Sequence, residues 1–506
     1  MDSVFSVFGS FMDWDVKGLL LFLVIFILTA DYIKNRRPAN FPPGPWSFPI
    51  VGSIFTLDHN RTHEIFTQLA GRYGDVFSLR LGQKRIVVLN KFKVIKEGLV
   101  NHGDGLSDRP DLPITYFIFY LLLMSFPSGI IFSNGHIWKQ QRRFALSTLR
   151  YFGFGKKSLE PVILEEVTHC ANIFRSFKGK PFGPHLIMNN VVSNIICFLV
   201  FGHRFEYSDE KFKRLVELFG KSLEIEGSIW VQLYNSFPVL MRRLPGPHQT
   251  VVNIWTYVKD FIKEELKQHK QNWDSSDPRD YIDCYLNEIQ NTKGQESSTF
   301  DEEGLIMSVL DLFVAGSETT STTLRWAFLY MAKYPEIQEK VQAEIDRVIG
   351  QSRQPSMEDR AILPYTDAVI HEIQRIGNIV PLSLPHITNK EIELRGYTIP
   401  KGVAVVPNLT SVLFDKDEWE TPHIFNPGHF LDKDGNFVKP NAFIPFSAGK
   451  RVCLGESLAK MELFLFFTSF MQQFTFSMPP GVKPVMDYRF GVTLAPEPYE
   501  LCATSR

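Results

Sequence analysis

The loop FSAGKRVCLG is the feature that most restricts what this chain can fold into, because it places one cysteine among glycines and cations. Gly449 and Gly455 let the backbone approach a flat partner closely. Lys450, Arg451 and the local N–H groups would stabilise an ionised Cys453 thiolate. The segment that follows, ESLAKMELFLFFTSFMQQF, predicts a long helix whose N-terminal dipole favours the same negative charge. An isolated cysteine is more often a small buried apolar residue, and that alternative stays open.

A thiolate in such a loop can bind few kinds of partner. No second cysteine or nearby histidine stands at metal-ligand spacing, so neither a zinc site nor an iron–sulfur cluster fits. A thiolate aimed at an open face does fit the axial ligand of haem. We therefore expect Cys453 to bind haem iron.

The overall composition bounds the class of protein. The 506 residues carry 54 Lys and Arg against 55 Asp and Glu, so no global field attracts nucleic acid and a charged partner must meet a local patch. A hydrophobic content of 44% is ample for a large core. The 5 cysteines include no close pair, which argues against a disulfide framework and for a reducing compartment.

The N-terminal region predicts a membrane anchor. The run from Leu19 to Ala30 is apolar throughout and about 18 Å long as a helix, so it needs the preceding VFSVFGSF stretch to cross about 30 Å of hydrocarbon. Lys34, Arg36 and Arg37 follow the run, which is the reverse of the charge order in a cleaved secretory signal, the alternative. The positive-inside rule then leaves the N-terminus lumenal and the rest of the chain cytosolic.

The remaining pattern predicts a mainly α fold with small β-sheets, one large helical domain with a minor β-rich N-terminal portion. VFSLRLGQKRIVVLN alternates like a β-hairpin, and EIELRGYTIPKGVAVVPNL is a second short-strand region. YPEIQEKVQAEIDRVIG places its apolar residues at helical spacing. We divide the chain into an anchor with its basic flank (1–37), a proline-rich hinge (38–49) and the catalytic domain (50–506).

Three further motifs carry chemistry only in the right surroundings. AGSETTSTT puts an acid and several hydroxyls on one helix, although such hydroxyls usually bond back to the preceding turn. HEIQR places Glu372 and Arg375 at i, i+3, a spacing at which a surface ion pair of little value is the ordinary outcome. WKQQRR places Trp138 and Arg142 on one helix face, where a guanidinium can form two charge-assisted bonds to a carboxylate.

Together these motifs resemble one family. Phe446, Gly449, Arg451, Cys453 and Gly455 match the haem-binding loop of the cytochrome P450 superfamily, the haem-thiolate monooxygenases. The other three motifs occur in that family's order, so the resemblance covers nearly the whole chain. It implies the cytochrome P450 fold and haem (heme b) with Cys453 as the axial ligand of the iron.

The resemblance assigns roles to the helix motif AGSETTSTT. Ala315 and Gly316 are expected to leave room for dioxygen above the iron, and the Thr319 hydroxyl to hold that oxygen and a water molecule. Glu318 would feed protons through the water. Heterolytic cleavage of the O–O bond needs two protons, so an acid and a hydroxyl beside the oxygen site make chemical sense.

The resemblance places the other polar motifs around the haem and its loop. Glu372 and Arg375 would form an internal pair joined by a partner from FNPGHF, where this chain has His429 instead of the arginine of many relatives. This set would lock the geometry of the haem loop. The implied partners of the haem propionates are Trp138, Arg142, His386 and Arg451.

Stretches such as LPGPHQT and FPPGPW resemble the vertebrate microsomal second family, closest to its J subfamily of fatty-acid epoxygenases. That resemblance implies an endoplasmic-reticulum enzyme that receives electrons from NADPH through the FAD- and FMN-containing cytochrome P450 reductase, with cytochrome b5 as a second donor. Expected substrates are lipophilic: polyunsaturated fatty acids such as arachidonate and linoleate, and xenobiotics. The implied reductase-docking patch comprises Lys139, Arg143, Lys156, Lys157 and Lys450. The implied substrate pocket comprises Ala315, Val380, Leu384 and Val492.

Two rival functions remain: a haem-thiolate isomerase of lipid peroxides, which the intact Glu318 and Thr319 disfavour, and a non-catalytic haem or lipid carrier.

One stretch departs from the family. PITYFIFYLLLMSFPSG, between Pro113 and Gly129, is longer and more apolar than in relatives, and Phe126 stands where the family often has a basic residue near the haem. It either enlarges an apolar pocket roof or destabilises the fold.

Overall fold

The computed structural model of the chain describes residues 16–115 and 128–506. Most of these residues are helical, as the sequence predicts. The helices are α1 (Val16–Lys34), α2 (Thr62–Tyr73), α3 (Phe92–Lys96), α4 (Gly135–Tyr151), α5 (Glu160–Ser176), α6 (His185–Phe201), α7 (Glu210–Glu226), α8 (Ile229–Ser236), α9 (Pro238–Met241), α10 (Pro247–Gln271), α11 (Tyr281–Asn291), α12 (Glu302–Lys333), α13 (Pro335–Val348), α14 (Pro364–Gly377), α15 (Thr410–Leu413) and α16 (Glu456–Gln473). The strands are β1 (Val76–Leu81), β2 (Lys84–Leu89), β3 (His386–Ile387), β4 (Ile392–Leu394), β5 (Tyr397–Ile399), β6 (Ala404–Pro407), β7 (Phe474–Ser477), β8 (Tyr488–Phe490), β9 (Leu494–Pro496) and β10 (Cys502–Ser505).

The 32-residue helix α12 forms the centre of the helical core. It begins where the Asp301 carboxylate caps the Gly304 N–H at 2.6 Å, and it ends before Pro335, which cannot continue a helix. Helices α6, α10 and α16 pack around it, and most of its residues are buried on every side. A helix buried all round needs no amphipathic stripe, which is why the sequence pattern here is weak.

The sheets are small and confirm the two strand regions that the sequence predicts. β1 and β2 form the antiparallel hairpin, with Gly82 in the turn at φ +58°. β2 continues into a parallel pairing with β6, and β3 closes the order β1-β2-β6-β3. β4 and β5 form a separate hairpin. The long sequence separation between β2 and β6 means that tertiary packing, and no local turn, creates this sheet.

The N-terminal anchor is only partly visible in the described residues. α1 carries apolar side chains from Leu19 to Leu28 that are all exposed. Within the described ranges, no helix combines the length and the apolarity that crossing a bilayer requires. The VFSVFGSF stretch that the prediction needs lies outside those ranges.

Candidate functional site

Cys453 lies directly before α16, at an opening in the protein body. Its backbone N–H donates to the Phe446 carbonyl oxygen at 3.0 Å, and its side chain is exposed. Surrounding protein atoms nevertheless raise the pKa of the Cys453 thiol by desolvation, while the Gly455 N–H and the Arg142 guanidinium oppose that shift. The sulfur is therefore enclosed on most sides and open on one. A thiol of this kind ionises when a metal cation coordinates it.

The cations of the cysteine loop act differently from the prediction. Lys450 pairs with Asp104 at the surface, and the Arg451 guanidinium is engaged by backbone carbonyl groups. The cation that acts on the sulfur is Arg142 of α4, which the sequence assigned only to a propionate. Residue spacing within the loop could not show this, because Arg142 comes from a helix about three hundred residues earlier.

Two predicted site glycines are needed for close packing. Gly449 has φ +75°, and a Cβ there would lie 2.0 Å from the Leu99 carbonyl oxygen. A Cβ on Gly316 would lie 2.4 Å from Cδ1 of Ile196 in α6. Both absent side chains make room for protein atoms, and that Gly449 also admits a flat partner and Gly316 dioxygen stays a prediction.

Arg109, Arg142 and Arg451 form a buried or half-buried arginine cluster beside the cysteine loop. None of the three forms an ion pair with a carboxylate in the described part of the chain, and their hydrogen bonds go to uncharged oxygens. The nearest acceptors are the carbonyl oxygens of Leu384 and Pro385 for Arg109 (2.8 and 2.9 Å), of Val452 for Arg142 (2.6 Å), and of Ser107 and Ser133 for Arg451 (2.7 and 2.5 Å).

The positive charge of this arginine cluster favours the binding of an anion. Burial lowers the pKa of Arg109 to about 9 and that of Arg451 to about 8, and neighbouring arginines add to both shifts. The Trp138 ring lies under the Arg451 guanidinium, 4.0 Å from centroid to Cζ. Trp138 Nε1 and Arg109 Nε are buried donors that find no hydrogen-bond partner among the described residues. Buried cations and orphan donors of this kind are costly unless an anion meets them, and the two propionates of haem would do so. The residues present therefore fit haem.

Arg109 is a site residue that the sequence analysis missed. It stands alone in the loop SDRP, with no motif spacing to mark it, and the backbone pairing of Asp108 with Ile387 carries that loop to the site. Many relatives have a further basic residue near the haem in the stretch that corresponds to 113–129. Phe126, where it was expected, lies outside the described residues.

His386 lies beside the arginine cluster as a neutral ring that resists protonation. Its Nδ1–H donates to the Leu106 carbonyl oxygen at 2.6 Å, which leaves Nε2 as an acceptor. Burial, with help from Arg109 and Arg451, lowers the pKa of His386 to about 3. Nε2 can donate to a propionate only after protonation, which a nearby carboxylate would favour.

Glu372 and Arg375 form a fully buried bidentate pair on α14 and no surface ion pair. Arg375 Nε and Nη2 donate to Glu372 Oε2 and Oε1, both at 2.7 Å. The remaining Arg375 donors reach the carbonyl oxygens of Leu413, Pro422 and Ile424. The pair therefore ties α14 to the long segment that precedes the cysteine loop, as the family resemblance implies.

His429 completes this set as a histidine that donates from Nδ1. The Thr421 backbone N–H donates to His429 Nε2 at 3.2 Å, so Nε2 carries the lone pair. Nδ1 is then the protonated nitrogen, and it donates to Glu372 Oε2 at 3.2 Å. One carboxylate thus faces one guanidinium and a neutral ring, and the buried charges balance without a second arginine.

The hydroxyl and the acid of α12 have different surroundings. Ala315 is exposed in the middle of a buried helix, and half-buried Thr319 stands one turn further on. Thr319 Oγ1 donates to the Ala315 carbonyl oxygen at 2.7 Å, the ordinary bond back to the preceding turn. An exposed alanine at this depth shows that this face of α12 borders open space.

Glu318 is held by a buried arginine that the sequence analysis did not name. Glu318 Oε1 accepts from Thr322 Oγ1 at 2.8 Å and from Arg325 Nη2 at 3.1 Å, and Thr493 Oγ1 lies 3.4 Å away. Arg325 follows Glu318 by two helical turns, a spacing that could have revealed it. In this arrangement Glu318 Oε1 is fixed, while Oε2 has no hydrogen bond to a described residue.

The predicted substrate-pocket residues differ in how exposed their side chains are. Val380 and Leu384 are half-buried in the segment before β3, and Arg109 binds the Leu384 carbonyl oxygen, which joins this segment to the arginine cluster. Val492 is 38% exposed, and its N–H donates to the Leu223 carbonyl oxygen at the end of α7. Their role in substrate binding stays a prediction.

Helix α4 presents an exposed basic face on the outside of the site. Lys139, Arg143 and Arg150 line a shallow concavity there with Trp138. The predicted docking residues Lys157 and Lys450 are instead paired with Glu358 and Asp104. Of the predicted docking residues, Lys139 and Arg143 on α4 and the exposed Lys156 just after it form no ion pair with a described residue.

A haem-thiolate site on a mainly helical fold is the class of site that this geometry defines. The sequence model of the family "Cytochrome P450" matches residues 42–503. Human "Cytochrome P450 2J2" is 50% identical over 487 residues, 96% of each chain. Rabbit (Oryctolagus cuniculus) "Cytochrome P450 2J1" is 50% identical over 490 residues, and human "Cytochrome P450 2D6" is 44% identical over 493. The match to the rabbit protein covers 97% of this chain and 96% of the relative, and the match to human 2D6 covers 96% of this chain and 98% of the relative. The chain belongs to the cytochrome P450 family, and its resemblance to the J group of the second family is confirmed.

Proposed function

We propose that this protein is a membrane-bound monooxygenase that inserts one oxygen atom of O2 into lipophilic substrates, using electrons from NADPH delivered by the flavoprotein reductase. The observation that carries the proposal is the exposed Cys453 thiol next to a buried arginine cluster without carboxylate partners. Bound haem supplies the oxygen activation, which thiolate ligation favours.

The protein's own side chains would hold the haem and deliver protons to the oxygen site. Trp138, Arg109, Arg142 and Arg451 would hold the anionic edge of the haem, and Cys453 would bind its iron. Thr319 exchanges its bond to the Ala315 carbonyl for a water molecule at the open face of α12. Glu318 supplies protons from Oε2 while Arg325 and Thr322 anchor Oε1.

The substrates are polyunsaturated fatty acids such as arachidonate and linoleate, epoxidised or hydroxylated, together with xenobiotics. Support comes from the resemblance to the J subfamily and from the apolar Val380, Leu384 and Val492. Ala315 offers a small side chain at the open face of α12.

The enzyme resides in the endoplasmic-reticulum membrane, with residues 1–37 as the anchor and 50–506 as the cytosolic catalytic domain. The exposed apolar side chains of α1 support this. The reductase, or cytochrome b5 as a second donor, docks on the basic face of α4, because acidic partners are steered to unpaired cations. Lys139→Glu should raise the KM for the reductase without altering the carbon monoxide spectrum. The matched charge reversal Lys211→Glu, on an exposed lysine of α7, should leave the KM for the reductase unchanged.

The decisive experiment measures ligation and turnover on one preparation. Reduced protein with carbon monoxide should give the far-red-shifted Soret band of thiolate ligation, Cys453→Ser should lose it, and Cys284→Ser, at a half-buried cysteine, should keep it. Protein, reductase and NADPH are then incubated with a fatty-acid panel, and products are identified by mass spectrometry. Product formed from lipid peroxides without NADPH would favour the isomerase. Spectral shifts without any product would favour a carrier.

A further inference from the structure

The end of α1 is joined to the first sheet by a buried bidentate ion pair. Arg80 Nη1 and Nη2 donate to Asp31 Oδ2 and Oδ1 at 2.8 and 2.6 Å. Asp31 is 8% exposed and Arg80 5%. Gln83 also reaches Asp31, and Arg85 donates to the Asn35 carbonyl oxygen. The junction is therefore a network in which β1 and β2 hold one helix end.

The proline-rich segment between α1 and β1 is packed along β1. The Ser78 backbone N–H donates to the Pro43 carbonyl oxygen at 2.6 Å, and Ser78 Oγ donates to that of Pro42 at 2.8 Å. A Cβ on Gly44 would lie 1.9 Å from the Ser78 carbonyl oxygen, so only glycine allows this approach. Arg37 Nη2 donates to the Gly44 carbonyl oxygen at 2.9 Å. We call this proline-rich segment (38–49) the strap, because it is hydrogen-bonded along β1.

This junction also borders the apolar surface of the catalytic domain. Trp46 and Phe48 of the strap are 70% and 46% exposed, and Val239 of α9 is 73% exposed. A Cβ on Gly82, in the turn that Arg80 Nε also binds, would lie 3.0 Å from Cβ of Ser236, just before α9. The junction, the strap and α9 are thus neighbours.

A lipid bilayer is the partner whose chemistry fits this surface. Ten consecutive apolar side chains of α1, from Leu19 to Leu28, are 40–61% exposed, so every face of the helix lacks protein cover. Hydrocarbon covers such a helix without burying polar backbone.

We propose that the Asp31–Arg80 pair latches the anchor rigidly to the catalytic domain, so that α1, the strap and α9 meet the bilayer as one surface of fixed orientation. This rests on the proposed membrane anchor. A free linker would let the domain adopt many angles, whereas a latched helix fixes which residues enter the lipid.

Trypsin cleavage after Lys34 and Arg36 of the full-length protein in phosphatidylcholine vesicles tests the latch, since cleavage requires local opening. Asp31→Asn and Arg80→Gln should be cut several-fold faster than the wild type. The exchanged pair, Asp31→Arg with Arg80→Asp, should return towards the wild-type rate. Lys211→Gln breaks an exposed pair with Glu264 elsewhere and should change nothing. Equal rates for wild type and Asp31→Asn, or no rescue by the exchange, would overturn the latch.

A second measurement reports orientation directly. A fluorophore on Leu240→Cys should be quenched by doxyl-labelled lipids in the wild-type background and less in the Asp31→Asn background. Unchanged quenching would also refute the proposal. Alkaline carbonate extraction tests the anchor separately: release of wild-type protein would end the membrane proposal, while the cleavage difference would still report the latch.

Discussion

Glu462 offers the sharpest test of how burial shapes this protein. It lies on α16, is 1% exposed, and neither carboxyl oxygen has a hydrogen-bond partner within the described part of the chain. Burial raises the pKa of Glu462 from 4.5 to about 8, against a small opposing effect of the Thr320 hydroxyl on α12. The folded state thus keeps the proton over a pH range in which the unfolded chain has already lost it.

The sign of the effect on stability follows from this difference in bound protons. The stabilising contribution is complete below pH 4.5 and is lost as the pH rises through about 8. At 1.36 kcal/mol per pKa unit, the free energy of unfolding should fall by about 3 kcal/mol between pH 5 and pH 8 on account of this residue alone.

Glu462→Gln keeps the shape and removes the titration. Denaturant unfolding at pH 5 and pH 8 should therefore show the variant close to the wild type at the lower pH and more stable by about 3 kcal/mol at the higher. Glu358→Gln, at a glutamate whose side chain is 73% exposed, serves as the control and should follow the wild-type pH dependence. Parallel pH profiles for wild type and Glu462→Gln would refute the reasoning.

Three other changes test the site and its supports. Glu372→Gln leaves the Arg375 charge buried without its partner and should cost about 3–5 kcal/mol in denaturant unfolding; a loss below 1 kcal/mol would contradict the pair's role. Gly316→Ala should cost about 1–3 kcal/mol by overpacking in the wild type and about 1 kcal/mol or less in an Ile196→Ala background, where the clashing side-chain atoms are absent; equal costs in both backgrounds would mean that the glycine serves something other than this contact. Arg109→Leu should raise the melting temperature of the haem-free protein, because an unpaired buried charge is removed, yet speed haem transfer to apomyoglobin; slower transfer would argue against the propionate role.

The sequence determined the identity of the chemistry. A lone cysteine in a glycine-rich cationic loop, an acid and a hydroxyl on one helix, and an i, i+3 ion pair are local patterns that became specific through the family resemblance, so Cys453, Glu318 with Thr319, and Glu372 with Arg375 could be predicted as site residues without coordinates. The β1–β2 hairpin and helix α13 were predictable for the same reason, since their periodicity is contained within each segment.

Only the tertiary structure decided which groups share a space. Arg109 comes to the arginine cluster because its loop pairs with β3, far away in the chain, and Arg142 rather than Arg451 acts on the sulfur. Gly316 meets a side chain of another helix, and Arg80 reaches back to Asp31. Charge compensation and close packing depend on distance through space, and residue spacing along a chain records neither.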